Sequence, residues 1–408
     1  MFGLVGHNIS YTFSPEIHQA LGYTYKVFDM NEDELDIFMK ARNFNGLNVT
    51  IPYKQKIIEY CDELDESAKA LQVVNTIVNI DGKLIGYNTD TRGFKFALDH
   101  YNVQIKDKKV LILGSGSTSQ SITSILETYD PKIIACMSRK GDLTYDHVHA
   151  VIDYEIIINT TPVGVFPHLN ESALDLKPFK QLEQIIDVIY NPLRTQLVSV
   201  AISQHIPAYG GLMMLVAQAV FSSEIFFNKT VDKRKIVDVF NQLLKQKENI
   251  VLIGMPAAGK SSLAKRLSEK MNRDFFDVDA CIEEKTGQPI SSIFEQYGES
   301  HFRKLESEVI SDLSLKQGII IATGGGSILN DQNVKSLKQN GILYFVDRDL
   351  DALKIEAHRP LARNKSALQA LYTERYPHYQ SAMDTLIDNN KTLDDATAAI
   401  IKEHLCAS

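Results

Sequence analysis

No stretch of this chain reaches the roughly 18 consecutive apolar residues of a membrane-spanning helix. The opening MFGLVGHNIS lacks a basic region followed by a long apolar run, so no secretory signal is visible and a cytoplasmic setting is expected. Cysteine is scarce: Cys61, Cys136, Cys281 and Cys406 are scattered, and no C-x-x-C pair occurs. That excludes a disulfide framework and a cysteine zinc site and fits a reducing compartment. An excess of basic charge is missing too, with 43 Lys and Arg against 51 Asp and Glu and a net charge of −8. Binding driven by neutralising nucleic-acid phosphates is therefore disfavoured, although local basic pockets for small anions are not. Partners are expected among small molecules rather than nucleic acids or membranes, with oligomeric state left open.

What is present is ordinary globular material. The 408 residues are 44% hydrophobic and 23% charged, without repeats or low-complexity segments. At roughly 100–200 residues per domain, two or three domains are expected. Strands are predicted at 2–6, 23–29, 46–51, 109–114, 132–137, 155–159, 184–188, 249–254, 318–323 and 342–346. Several are apolar on both faces and flanked by amphipathic stretches, which predicts an α/β protein with parallel sheets covered by helices. The expected division is 1–104, 105–209, helices over 210–247 that return to the first domain, and 248–408. The main boundary falls between KRKIVDVFNQLLKQK and NIVLIG.

The stretch GMPAAGKSS (254–262) fits G-x-x-x-x-G-K-[ST] after an apolar strand and before a helical pattern. Gly254 and Gly259 let backbone N–H groups close on phosphate oxygens of ATP. Lys260 neutralises the outer phosphates, Ser261 ligates Mg²⁺, and Ser262 lies in the same first helical turn. Ala257 stands where a freer glycine would suit the loop. In FFDVDA, Asp277 and Asp279 share one face of a strand end. One suits a metal's water shell, and the other suits an acceptor hydroxyl's proton.

The order of GMPAAGKS, DVD, GESHFR, TGGGS, RPL and ERYPHY over about 248–405 resembles shikimate kinase. The resemblance implies that Asp279 meets the acceptor hydroxyls and that Asp277 serves the metal. It gives Arg303 and Arg375 the substrate carboxylate, Gly325 a backbone contact to substrate, and Arg359 the transferring phosphate from a lid. Forked guanidiniums suit a carboxylate.

Ahead of this lie YTFSPEIHQ, NVTIPYK, VVNT, GYNTDTRG, GSGSTS, SRK, NTTPVG, DVIYNP and GGLMMLVAQ. Together they resemble shikimate dehydrogenase over its whole length. The implied architecture is an α/β substrate domain and a Rossmann NADP domain, followed by a P-loop domain like those of nucleoside-monophosphate kinases. The implied chemistry is NADPH-dependent reduction of 3-dehydroshikimate to shikimate, which the second half then phosphorylates with ATP. Lys54 and Asp90 are the implied catalytic pair, and Thr12, Ser14, Thr50, Asn75, Tyr190 and Gln218 hold the substrate. His18 is left as structural.

GSGSTS follows a strand and opens a helix, which puts Gly114, Gly116 and Ser117 at the pyrophosphate. Ser119 replaces the third glycine. The next strand ends in Ser138, Arg139 and Lys140, without an acid for a ribose hydroxyl, which favours NADP over NAD. Asn159 and Gly164 are expected on the nicotinamide side. The helix after SPEIH is about two turns shorter than in the resembled family, which would open the pocket or weaken the fold. Two alternatives stay open: an active kinase whose front half only senses shikimate or NADPH, and an acceptor related to shikimate, such as quinate or another small polyol.

Overall fold

The computed structural model describes residues 1–9, 11–353 and 365–406. The chain divides into two compact units, Met1–Leu243 and Leu244–Ser408. The division falls inside the helix Arg234–Lys247. Its last turn counts with the second unit because the Arg273 guanidinium there donates to the carbonyls of Lys245 and Glu248.

Among the described residues the first unit has two sheets. One contains β1 (Phe2–Gly6), β2 (Lys26–Asp29), β3 (Gly46–Val49), β4 (Glu63–Leu64), β5 (Thr76–Ile80) and β6 (Lys83–Tyr87), in the order β2-β1-β3-β5-β6-β4. β1 runs parallel to β2 and β3, but β5 is antiparallel to both β3 and β6. This sheet is therefore mixed rather than parallel throughout. Asp81 and Gly82 join β5 to β6 with φ of 51° and 88°. Two successive positive φ values are what a two-residue Asp-Gly hairpin turn needs, and the twist they impose pairs the strands antiparallel.

The other sheet of this unit is parallel: β7 (Lys109–Leu113), β8 (Ile133–Met137), β9 (Ile156–Asn159), β10 (Gln184–Asp187) and β11 (Ala208–Tyr209), in the order β11-β10-β9-β7-β8. The chain leaves β7 toward one edge and later returns to its other side. The carboxyl end of β7 is therefore a switch point, where a crevice opens.

The second unit is again a parallel sheet, of β12 (Asn249–Ile253), β13 (Phe275–Asp277), β14 (Ile320–Ala322), β15 (Gly341–Asp347) and β16 (Thr385–Asp388), in the order β13-β14-β12-β15-β16. All five residues of β12 are buried. This is why IVLI, after Asn249, reads as continuous apolar sequence rather than as an alternation.

Two features of the first unit bear on its site. The helices Asp90–His100 and Leu212–Phe227 meet at Gly93, where a Cβ would lie 2.9 Å from the Met214 carbonyl oxygen and 2.8 Å from Gln218 Cβ. Only glycine permits that approach. The short helix Ser14–Ala20 ends against an aromatic cluster: His18 stacks on Tyr25 at 3.8 Å, and Phe2 lies 5.1 Å from Phe226. Burial lowers the His18 pKa to about 3, so the ring is neutral and structural, as expected.

Candidate active sites

A cleft of about 340 Å³ in the first unit is lined by all eight residues expected there: Thr12, Ser14, Thr50, Lys54, Asn75, Asp90, Tyr190 and Gln218. Lys54 Nζ donates to Asp90 Oδ2 at 2.6 Å, and their side chains are 13% and 7% exposed. Asp90 opens the helix Asp90–His100, so its carboxylate projects from a fixed first turn. Its other oxygen accepts from Asn75 Nδ2 at 2.8 Å. Asn75 in turn lies 3.4 Å from Gln218 Oε1 and receives the Thr89 N–H at 2.7 Å. The Thr12 hydroxyl donates to Ser14 Oγ at 3.0 Å. Burial raises the Tyr190 pKa to about 12, so its hydroxyl keeps its proton and can donate. Tyr11 and Met214 also line the cleft, and the sequence reading assigned neither. Tyr11 lies one residue before Thr12, and Met214 lies one helical turn before Gln218.

On the cofactor side, Gly114 has φ of 103°, and Gly116 caps the helix Ser117–Glu127. Among the described residues a Cβ on Gly116 would meet nothing within 4 Å, so the backbone is open to a ligand. An eleven-residue helix whose free N–H groups face open space behind a left-handed glycine fits a pyrophosphate. Ser119 is buried within the helix packing. Ser138 is also buried and donates to the Lys140 carbonyl at 2.6 Å, while Arg139 and Lys140 are exposed beyond β8.

Two residues expected on the nicotinamide side are not among those lining the cleft. Asn159 is fully buried; its amide donates to Asp187 Oδ1 at 3.0 Å, and its oxygen accepts from Thr161. It braces the cleft wall from behind, and Thr160, Thr161 and Pro162 form the lining instead. Gly164 has φ of 92° and serves a turn against the Glu171 carbonyl rather than the cleft.

In the second unit Gly254 (φ 147°), Ala257 (φ 63°) and Gly259 (φ 95°) shape the loop between β12 and the helix Lys260–Met271. Lys260 is buried and donates to the carbonyls of Gly254 and Met255 at 2.8 and 2.9 Å. Ser261 and Ser262 stand exposed in the first helical turn. Ser261 Oγ donates to Asp277 Oδ2 at 2.5 Å, and Asp277 Oδ1 caps the helix Val278–Thr286 through the Asp279 N–H at 3.0 Å. A hydroxyl beside a carboxylate at the mouth of a phosphate loop is the oxygen donor set that Mg²⁺ takes, completed by phosphates and water.

Across the loop lies the triple glycine. Around a Cβ imagined on Gly324 stand Glu306 Oε1 at 2.6 Å, Asp279 Oδ1 at 3.1 Å and Ser327 Oγ at 3.3 Å. Gly325 packs against the Pro256 ring of the phosphate loop, and Gly326 packs against the Arg303 guanidinium. Arg303 donates to Glu306 at 2.8 Å and to Glu299 at 3.0 Å. Arg375 is 4% exposed, and among the described residues its Nε has no hydrogen-bond partner. Tyr379, one turn on, donates to the Gly325 carbonyl at 2.5 Å. Asp279, Arg303 and Gly325 thus meet beside the phosphate loop. Glu306, buried and also receiving the Ser327 hydroxyl at 2.6 Å, has no role in the sequence analysis, although it stands three residues after Arg303. Arg359 lies outside the described residues. Among the described residues no helix is long and apolar enough to cross a membrane.

Comparison with known proteins assigns both units. The family model for the shikimate dehydrogenase substrate binding domain matches residues 4–77, and that for shikimate kinase matches 256–406. A shikimate dehydrogenase (NADP(+)) of Clostridium perfringens is 34% identical over 265 residues, covering 60% of this chain and 98% of that protein. Shikimate dehydrogenase 1 from Peptoclostridium difficile superposes with a TM-score of 0.57 at 30% identity, covering 59% of this chain and 97% of that one. A chorismate mutase/shikimate 5-dehydrogenase fusion protein from Clostridium acetobutylicum gives 0.56 at 29% identity, with coverages of 59% and 96%. The chain belongs to the shikimate dehydrogenase family and carries a shikimate kinase domain on the same polypeptide, which makes it a bifunctional enzyme.

Proposed function

We propose that the first unit reduces 3-dehydroshikimate to shikimate with NADPH and that the second transfers the γ-phosphate of ATP to give shikimate 3-phosphate. The observation that carries the reading is the Lys54–Asp90 ion pair, 2.6 Å long and facing a cleft rimmed by hydroxyls and amides. Reducing a ketone needs a proton for the oxygen that becomes an alcohol. Lys54 Nζ supplies it and takes it back in the reverse direction, while Asp90, itself held by Asn75, fixes the ammonium in place. The bound cofactor supplies the hydride. Thr12, Ser14, Thr50, Asn75, Tyr190 and Gln218 orient the ring. Ser117 and the Gly114–Gly116 turn hold the pyrophosphate, and Ser138, Arg139 and Lys140 receive the ribose 2′-phosphate.

In the second unit, phosphoryl transfer asks mainly for positioning and charge neutralisation. Arg303 and Arg375 take the acceptor's carboxylate, Gly325 offers its backbone, and Asp279 accepts the hydroxyl proton. Lys260 exchanges its carbonyl partners for phosphate oxygens. Ser261 and Asp277 would hold Mg²⁺, which supplies charge neutralisation when bound. Arg359 is proposed to reach the transferring phosphate.

The test is a coupled assay with 3-dehydroshikimate, NADPH and Mg-ATP, following shikimate 3-phosphate. Product must fail to form when either nucleotide is left out. Binding of shikimate to the first unit without NADP⁺-dependent oxidation would replace this reading with a sensing module attached to a kinase.

A further inference from the structure

The geometry points to Asn88 as a positioning residue that ties the first turn of the cofactor helix to the catalytic carboxylate and so links dinucleotide binding to the placement of the Lys54–Asp90 pair. The inference rests on the dehydrogenase reading above. Asn88 is 1% exposed and contacts three elements at once. Its Oδ1 accepts the backbone N–H of Asp90 at 3.1 Å, which fixes the residue whose side chain holds Lys54. Its Nδ2 donates to Ser121 Oγ at 3.0 Å and to the Val73 carbonyl at 3.3 Å. Val73 precedes Val74, whose N–H donates to the Lys54 carbonyl at 2.8 Å. Both members of the catalytic pair are therefore braced through one amide.

The far end of the path is the cofactor helix. Ser121 is fully buried, and its hydroxyl donates to the Ser117 carbonyl at 3.2 Å. Ser117 opens that helix directly after the Gly116 cap. From the proposed pyrophosphate seat to Asp90 there are thus three hydrogen bonds; the two made by Asn88 are buried, and the one at the Ser117 carbonyl is partly buried. Burial matters, because a hydrogen bond that cannot be exchanged for water transmits a displacement that an exposed one loses to solvent. A ligand that orders the first turn of the helix therefore also favours the Asn88 position that places Asp90. Such a linkage is reciprocal: substrate held by Lys54 and Asp90 must favour the cofactor by the same factor.

The test uses the full chain with shikimate and NADPH. Both are in the reduced state, so the ternary complex forms without turnover. Isothermal titration measures the NADPH Kd with and without saturating shikimate; NADPH is the titrant because shikimate is expected to bind the second unit as well. For the wild type the ratio is expected to be about 5 or more, the lower end of ordinary coupling between sites. Ser121→Ala removes the hydroxyl between Ser117 and Asn88 without disfavouring the helix. It is expected to bring the ratio below about 2 while each ligand alone keeps its affinity within about threefold. Thr123→Ala is the control on the same helix, since the Thr123 hydroxyl bonds back to the Ser119 carbonyl at 2.9 Å, within the helix; it should keep the wild-type ratio. A wild-type ratio near 1, or a Ser121→Ala ratio equal to that of wild type, overturns the inference. Shikimate oxidation by wild type with NADP⁺, measured alongside, tests the underlying reading separately, because it does not depend on the ratio.

Discussion

Lys54→Met offers the sharpest test of the first site, because it removes the ammonium and keeps most of the aliphatic stem. The chemical consequence is loss of the proton donor, worth about 10²–10⁴ in rate for a well-placed acid. The structural consequence follows from burial. Breaking a fully buried pair costs about 3–5 kcal/mol, and an exposed pair is worth at most about 1. At 13% and 7% exposure, and with Asn75 still donating to the stranded carboxylate, about 2 kcal/mol is expected. For a unit of this size 1 kcal/mol moves the midpoint by about 2–4 °C, so the first unit should melt about 4–8 °C lower. Adding Asp90→Asn removes the leftover charge and should restore part of that loss without restoring turnover. The assay is NADP⁺-dependent shikimate oxidation followed by NADPH absorbance, together with scanning calorimetry. Phosphorylation of shikimate by the same chain is the internal reference and should stay within about twofold, because Lys54 has no part in the proposed kinase site and independent sites act separately. Retention by Lys54→Met of more than about a tenth of wild-type kcat would refute the assignment of Lys54 as proton donor. A double variant no more stable than Lys54→Met would refute the ion-pair argument.

The remaining predictions concern both units. Arg303→Lys or Arg375→Lys should raise the shikimate KM of the kinase by about 10–100-fold with little effect on the ATP KM, because a point ammonium cannot replace a bidentate fork; equal loss for both substrates would argue against a carboxylate clamp. Ala257 sits at φ of 63°, where a β-branched side chain is strongly disfavoured. Ala257→Gly should therefore stay within about 1 kcal/mol of wild type and Ala257→Val should lose more than that, as measured by urea unfolding of the second unit. Arg139→Ala with Lys140→Ala should raise the NADP⁺ KM by about tenfold or more and leave the NAD⁺ KM unchanged. His404 is fully buried, and burial lowers its pKa to about 4. The unfolded chain takes up that proton near 6.5, so this group's stabilising contribution is present above that pH and is lost as pH falls toward 4. The stability gap between wild type and His404→Gln should narrow by at most about 3 kcal/mol from pH 7 to pH 4.5, read from urea midpoints; a gap independent of pH would count against a buried neutral ring.

Much of both sites could be read from residue order, because the chemistry sits on short segments whose local shape is fixed by a few residues. GMPAAGKS must be a loop between strand and helix, and NTD followed by RG must open a helix that tolerates close packing at Gly93. What went unread has a common cause. Glu306 and Ser121 lie on helix faces whose partners are distant in sequence, so nothing nearby reveals that they are buried. Asn159 was given a cofactor role because it stands in the right segment. Its amide is taken up by Asp187 and Thr161, while Thr160 and Thr161, just past the strand end, line the cleft.

The amino-acid order by itself determined the phosphate loop, the run of parallel strands in two of the three sheets, and which side chains carry charge to a carboxylate, a phosphate or a carbonyl. These are local properties, set by backbone freedom, hydrophobic period and side-chain pKa. Only the tertiary structure decided that Lys54 and Asp90, 36 positions apart, meet at 2.6 Å, and that Asp279, Arg303 and Gly325 gather beside one loop. It also decided that Asn88 reaches the cofactor helix. Those outcomes depend on how strands pair and helices pack over long separations, where burial rather than local preference selects the partners.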